Sequence, residues 1–426
     1  MSELFVRDND QVDFAPNVAG RKARAGLWNV IFLAATLVGV LSLVALVTSL
    51  LDSCFGYVIV QDAYAWADVA TDPTKKLEDL SQTELVTLIR STAEADLTDL
   101  TLGRLKFLEM DRTLEVRTSE DLRSLVRKEI LKSEIKKSWS LTESLLQANE
   151  IANLQKSKYP EGQLAFRSWL TPNFLTQPQT GGKAETNGLR GAIIGSMWII
   201  LIAIVVAFPI GIGSAIYLEE YATNNWLNRL IQTNIYNLAG VPSIIYGMLG
   251  LAVFVRLAEP LTSGSLFGVQ DVNGRTVFSA GLTLGILILP IIIINAQEAL
   301  KAIPNSLRYS SYGVGATKWQ TVWHHVIPAS LDRILTGTVF GISRAIGETA
   351  PLVVIGASAF LTLDPSGLFS KFTALPIQIF TWSQMAVPEF KHTAAAAIIV
   401  LLVLLLGLNT VAIIFRNRIK QSKDAL

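Results

Sequence analysis

Arg344 and Glu348 stand four residues apart inside an apolar run, Ile334–Leu361. A guanidinium offers a planar fork of donors that matches the oxygens of phosphate or a similar anion. A charge about 15–18 Å into a helix is deep. It costs roughly 2.5–3.5 kcal/mol on insertion scales, so it normally faces a cavity or a partner. The i, i+4 spacing lets both side chains meet on one helix face. Arg344 can then receive an anion in transit, while Glu348 holds it between passages and prevents trapping. Permeation needs weak contact of this kind. A neutralised ion pair locking helix to helix is the alternative. Thr349 beside the pair and Ser243 in an earlier span are expected to line the same route. Pro351 removes the bond to the carbonyl of Gly347 and lets the helix bend there.

Such a pair needs membrane helices to hold it. Charged residues make up only 17% of the 426, against about 25% in soluble proteins, which points to a membrane. A net charge of +1 argues against a nucleic-acid binder. Cys54 has no partner for an internal disulfide, and His324, His325 and His392 have no metal-site spacing. No metal site is therefore expected. Apolar runs near the roughly 20 residues a bilayer requires occur at Leu27–Leu51, Leu189–Leu218, Asn234–Leu257, Val277–Ala296, Ile334–Leu361 and Thr393–Phe415. The reading is an all-α membrane protein of about six transmembrane helices. The third run is broken by Gly240-Val241-Pro242-Ser243, and such irregular backbone is tolerated only in protein or beside water. Arg21, Lys22 and Arg24, then Lys301, Arg308, Lys318 and Arg333, then Arg416, Arg418, Lys420 and Lys423 flank the runs on one side. That side is the cytoplasm by the positive-inside rule, with both termini there.

The expected division is a cytoplasmic segment 1–26, a first span 27–51, a periplasmic mostly helical insertion 52–187, a membrane domain 188–416 and a tail 417–426. In the insertion, Ser81–Glu84 and Ser140–Glu143 have the capping-box pattern. Leu122, Leu125, Val126, Glu129 and Ile130 recur at helical spacing within 121–137, and Leu114–Arg117 has the look of a short strand. Residues 172–187 are rich in Pro, Gly, Gln and Thr and are expected to form a linker. Gly181-Gly182-Lys183 lacks the spacing of a phosphate-binding loop. A spacer or docking surface, or a binding site for a partner, are both open for this insertion.

The stretch 297–328 is too long for a tight connector. A helix, a turn at Gly315 and a second helix with Trp319, Val322 and Trp323 on one side is the simplest arrangement. This stretch resembles the coupling (EAA) loop of ABC importer permeases in the spacing of Gly315 and Pro328. Tyr309, Ser310 and Ser311 stand where that signature has Glu-Ala-Ala, and His325 stands at its Ile. Arg344–Pro351, Asn237–Gly247, Gly315–Thr321, Thr373–Ile379 and Pro388–Phe390 resemble the PstA-type permease of phosphate ABC importers. The resemblance covers about residue 173 to the end, plus the first span; the insertion has no counterpart in compact members.

The resemblance implies the type I ABC importer permease fold and a phosphate pathway in the inner (plasma) membrane. Tyr309, Ser310, Ser311, Gly315, Ala316, Thr317, Lys318 and Trp319 would meet the ATPase subunit. It further implies a homologous second permease forming a heterodimer, two ATPase subunits and a periplasmic phosphate-binding protein, in contact with membrane lipid. The chain itself would be no enzyme and bind no cofactor, ATP and magnesium being used by the partner. A permease for sulfate, molybdate or phosphonate is an alternative. A membrane-anchored ligand sensor is a further one, though the residues after Phe415 leave little room for an output domain.

Overall fold

The computed structural model describes residues 18–424, apart from 65, 71–74, 96–99, 101–104, 106–112, 181 and 270–272. Most of the N-terminal segment expected at 1–26, as well as Gly181, therefore lies outside the described residues. The chain divides into two compact units, residues 1–50 and 51–426.

The first unit holds most of α1 (Val18–Cys54). Leu27, Trp28, Phe32, Leu33 and Leu41 are all exposed along it. An apolar helix uncovered on every side suits a lipid surroundings.

The second unit opens with β1 (Phe55–Gln61), which begins at the residue after α1 ends. Next come α2 (Gln82–Ala95), α3 (Ser119–Leu125), β2 (Glu134–Ser138), α4 (Leu141–Leu146), α5 (Ala148–Lys158), β3 (Gln163–Ser168) and α6 (Pro172–Thr176). The three strands form one antiparallel sheet in the order β2-β1-β3. The mostly helical reading of 52–187 did not place this sheet. Glu134–Ser138 is polar, with Lys136 and Lys137 on an edge strand, so it lacks the β-branched run that announces a strand. Leu114–Val116 is a 3-10 turn rather than a strand. The helical spacing after Asp121 holds only to Ile130, with Leu122, Val126 and Ile130 fully buried. Ser140 and Glu143 close the expected capping box, and Ser81 with Glu84 makes the same reciprocal pair.

Residues 172–187 pack as a strap and not as a free linker. Phe174 is buried with its ring 6.0 Å from that of Trp382. Gln179 accepts from Leu361 N at 3.0 Å, and Lys183 pairs with Glu134 at 3.2 Å. Pro and Gly gave a loop signal here, but Phe174, Gln179, Ala184 and Asn187 are buried and anchor the segment.

The rest of the unit comprises α7 (Arg190–Ile216), α8 (Trp226–Ala239), α9 (Ser243–Gly250), α10 (Val277–Lys301), α11 (Asn305–Gly313), α12 (Lys318–Thr321), α13 (Ile327–Gly347), α14 (Ala350–Ile355), α15 (Leu375–Ser383) and α16 (Glu389–Asp424). Among the described residues, four helices are long and apolar enough to cross a membrane: Gly20–Cys54, Arg190–Tyr221, Val277–Lys301 and Glu389–Arg418. The pair Trp226–Ala239 and Ser243–Leu257, bent by 107°, makes a fifth if counted as one span. The expected third run is thus two helices at a steep angle. The expected fifth run is not one helix either, since α13 stops at Gly347. The tail continues α16 as far as Asp424.

The most buried element is α10, packed between α7 and α13. At Gly281 a Cβ would come 2.5 Å from Cβ of Ile202 on α7, so the small residue sets how close the two helices lie. Ala280, Leu284, Ile288 and Ile292 of α10 join Ile199, Ala203 and Ala207 of α7 in one core.

Candidate functional site

Arg344 lies in the last turn of α13, and Glu348 is the first residue beyond it. Their closest approach is 3.3 Å, between Arg344 Nε and Glu348 Oε1. The sequence put both on one helix face; here the pair bridges the end of the helix. Glu348 has φ −77° and ψ 114°, an extended conformation, and Thr349 caps α14, whose first turn holds Pro351. Pro351 has no N–H to give the Gly347 carbonyl, so the helix is interrupted at this point.

The pair is not sealed within the chain. The Arg344 side chain is 39% exposed and that of Glu348 19%. Glu348 takes only Nε, and the two terminal nitrogens of Arg344 make no hydrogen bond among the described residues. A fork of donors is left facing outward, tethered at its base by a carboxylate. Thr349 and Ser243 are half-buried, and neither side chain is hydrogen-bonded among the described residues. Ser243 lies on the first turn of α9, just after the break at Gly240–Pro242. Gly240 has φ −91°, so proline, and not a left-handed glycine, turns the chain there.

The two breaks meet. A Cβ at Gly247 would lie 2.6 Å from Cα of Pro351, so α9 and α14 touch backbone to backbone. Tyr246 spans the first break by donating its hydroxyl to Leu238 O at 2.7 Å. No direct bond joins Ser243 to Arg344 or Glu348 among the described residues.

Sequence reasoning passed over Asn409. Ser343, beside Arg344, donates to Asn409 Oδ1 at 2.7 Å and so fastens α13 to α16. A single amide within the apolar stretch Thr393–Phe415 was the available signal.

At the other end of α13 lies the helix, turn, helix. Gly315 has φ +87°, in the left-handed region that glycine reaches at little cost. Thr317 and Gln320 form a capping box that starts α12. From Lys318 the helix runs through a π turn at Val322–Val326 straight into α13. No loop separates the hairpin from α13, which carries Arg344. Trp319 and Trp323 stack with centroids 5.4 Å apart and are 57% and 54% exposed. Val322 turns inward and is fully buried, which corrects its expected place beside them. Tyr309 and Ser310 are exposed, whereas Ser311 is buried and hydrogen-bonds Thr321 at 2.8 Å. Lys318 Nζ lies 5.1 Å from the ring centroid of Tyr221. Ala316 is half-buried in the turn.

Arg308 of α11 is the most heavily bonded group of the hairpin. Its Nη2 donates to Glu220 Oε1 at 2.6 Å and to Leu300 O at 3.1 Å. Its Nη1 donates to Ile303 O at 2.8 Å. The two side chains are 13% and 5% exposed. From sequence, Arg308 counted only as a flanking positive charge.

The family of binding-protein-dependent transport system inner membrane components matches residues 207–423, which include both breaks, the pair and the hairpin. The chain belongs to this family. It is accordingly a multi-pass membrane protein and a transporter permease subunit of the type I ABC importer fold. The phosphate transport system permease protein PstC of Pasteurella multocida (strain Pm70) is 34% identical over 229 residues, 50% of this chain and 71% of that protein. The phosphate transport system permease protein PstA of Yersinia pestis is 31% identical over 257 residues, 60% of this chain and 79% of that protein. An inward-facing crystal structure of the MetNI methionine ABC transporter shares 17% identity over 55% of this chain and 94% of its own, with a TM-score of 0.38. The insertion lies outside the family match.

Proposed function

We propose that this chain is the permease subunit of an ATP-driven phosphate importer and forms part of the anion route. The observation that carries this is Arg344: a guanidinium at the end of α13, held at Nε by Glu348, with both terminal nitrogens open. Phosphate matches that fork, and a neighbouring carboxylate keeps its residence brief. The names of the relatives support phosphate over other oxyanions. Thr349 and Ser243 offer hydroxyls along the same stretch, and the breaks at Gly240, Pro242 and Pro351 give the backbone freedom to move there.

The hairpin around Gly315 docks an ATPase subunit through Tyr309, Ser310, Lys318 and Trp319, with Ala316 and Thr317 shaping the turn and Ser311 bracing it. Because α12 continues into α13, a push on the hairpin reaches Arg344 along one helix. This is the mechanical basis of alternating access here. A second homologous permease, two ATPase subunits and an extracytoplasmic phosphate-binding protein complete the assembly. ATP and magnesium are consumed on the ATPase subunits; this chain is non-catalytic and binds no cofactor. Both termini lie in the cytoplasm, and residues 52–187 stand on the opposite side of the plasma membrane.

The test is co-purification in detergent, reconstitution in liposomes and uptake of labelled phosphate and sulfate. ATP-dependent phosphate uptake with sulfate excluded is expected. A complex that moves sulfate equally, or that lacks an ATPase subunit, would overturn the reading.

A further inference from the structure

Arg308 joins three elements at one point. It pairs with Glu220 at the end of the span Arg190–Tyr221 and donates to the carbonyls of Leu300 and Ile303 at the end of α10. The residue itself sits on α11, the first arm of the hairpin. The last carbonyls of a helix lack intrahelical partners and carry the negative end of its dipole, so a cation there satisfies both needs. Glu220 receives two donors of the same fork, Nη2 at 2.6 Å and Nε at 3.2 Å. Lysine, with a compact ammonium, cannot reproduce a planar arrangement that serves a carboxylate and two carbonyls together. The group is nearly sealed, so it is neither solvated nor free to meet a docking partner. The second arm already has its own path, through α12 into α13. The first arm meets both α7 and α10 at this junction, beside Leu307, which packs against the core the two helices share, and α7 and α10 pack on each other along their length.

We propose that Arg308 and Glu220 form the transmission pin through which movement of the hairpin drives the α7–α10 pair, and that they set the number of anions moved per ATP. The pair are positioning residues; neither touches substrate. The inference rests on the docking role given to the hairpin above. It separates transport from hydrolysis, which damage to folding or docking does not do.

The experiment uses the complete complex in liposomes with its binding protein and phosphate. Arg308→Lys and Glu220→Gln are compared with the parent for bound ATPase subunit, ATP hydrolysis and phosphate uptake. Both variants are expected to keep the ATPase subunit and at least half of the hydrolysis, while phosphate moved per ATP falls about tenfold, the equivalent of roughly 1.4 kcal/mol. An unchanged ratio of uptake to hydrolysis overturns the pin, whether both rates stay normal or fall together. Loss of the ATPase subunit from either variant also overturns it, because the pair would then be part of the docking surface. Gly315→Val serves as the control for the docking role: if it leaves the ATPase subunit bound with normal coupling, the docking reading fails, whatever the ratio shows for Arg308 and Glu220.

Discussion

Arg344 shows how a single side chain can be placed by the end of a helix instead of by its face. Spacing along the sequence brought it near Glu348, and the two do meet, but across the point where α13 stops. The stop was announced by Pro351, and Gly247, where a Cβ would lie 2.6 Å from Cα of that proline, leaves room for it. Removing the fork by Arg344→Ala should cut phosphate uptake by roughly ten- to a hundredfold, since a hydrogen bond to a charged group contributes about 1.5–3 kcal/mol. The variant should still assemble, because no terminal nitrogen of Arg344 holds the fold together; uptake assays beside detergent pull-down check both points. Normal uptake at low phosphate would remove Arg344 from the route.

Glu84 belongs to the same scale, in the insertion. Its hydrogen bond with Lys75, then those from Ser81, hold its carboxyl down from 4.5 to about 2. A carboxylate with a depressed value stabilises the fold above its unfolded pKa and loses that contribution as pH falls through the folded one. Glu84→Gln should therefore be less stable than the parent at pH 6, and the difference should vanish between about pH 4.5 and pH 2. Thermal unfolding followed across that range tests the sign. A difference that persisted at pH 2 would mean the charge is not its source.

Among the elements, the turn at Gly315 separates backbone demand from side-chain space. Nothing lies within 4 Å of where its Cβ would stand, so bulk there meets no obstacle. Its φ of +87° is the constraint, costing a β-branched residue about 1–2 kcal/mol. Gly315→Val should weaken ATPase-subunit retention severalfold, while Gly315→Asn should retain it, because Asn visits this region readily. Equal retention by both, measured by pull-down, would show that the turn is not what presents the hairpin. Gly247 is the opposite case. There a Cβ would strike the backbone of Pro351, and overpacking of that kind costs about 1–3 kcal/mol. Gly247→Ala should lower the melting temperature of the purified complex and reduce uptake. No shift in melting would show that α9 and α14 can part freely.

The helices at Leu189–Leu218, Val277–Ala296 and Thr393–Phe415 were legible because length and apolar content announce them, and so was the hairpin, because a glycine between two helical patterns has few other uses. What stayed hidden was set by partners distant in sequence. Ile135 and Lys137 give no sign of a strand until Val60 and Ile59 of β1 lie beside them. Residues 172–187 look like a tether until Trp382, two hundred positions on, covers Phe174. Arg308 is one positive charge among several until Glu220 meets it 88 residues away. In each case the composition was read correctly and the neighbour was missing.

At the scale of the whole second unit, the insertion is stitched to the membrane domain at its base. His392, in the first turn of α16, bonds Ser53 O at 2.7 Å and Ser138 Oγ at 3.1 Å, and its ring stacks on Trp169 at 5.4 Å. The carbonyl of Ser53 can only accept, so Nδ1 carries a proton. Asn187 and Gln179 of the strap add their own bonds nearby in sequence, the latter to Ala359 and Leu361. Movement of the first turn of α16 therefore carries β2 with it. Cys54, the sole cysteine, is buried, which leaves the chain unreactive toward a maleimide dye. A thiol introduced by Lys136→Cys on exposed β2 would accept such a dye alone, and its emission would follow each turnover optically from a point well clear of the lipid.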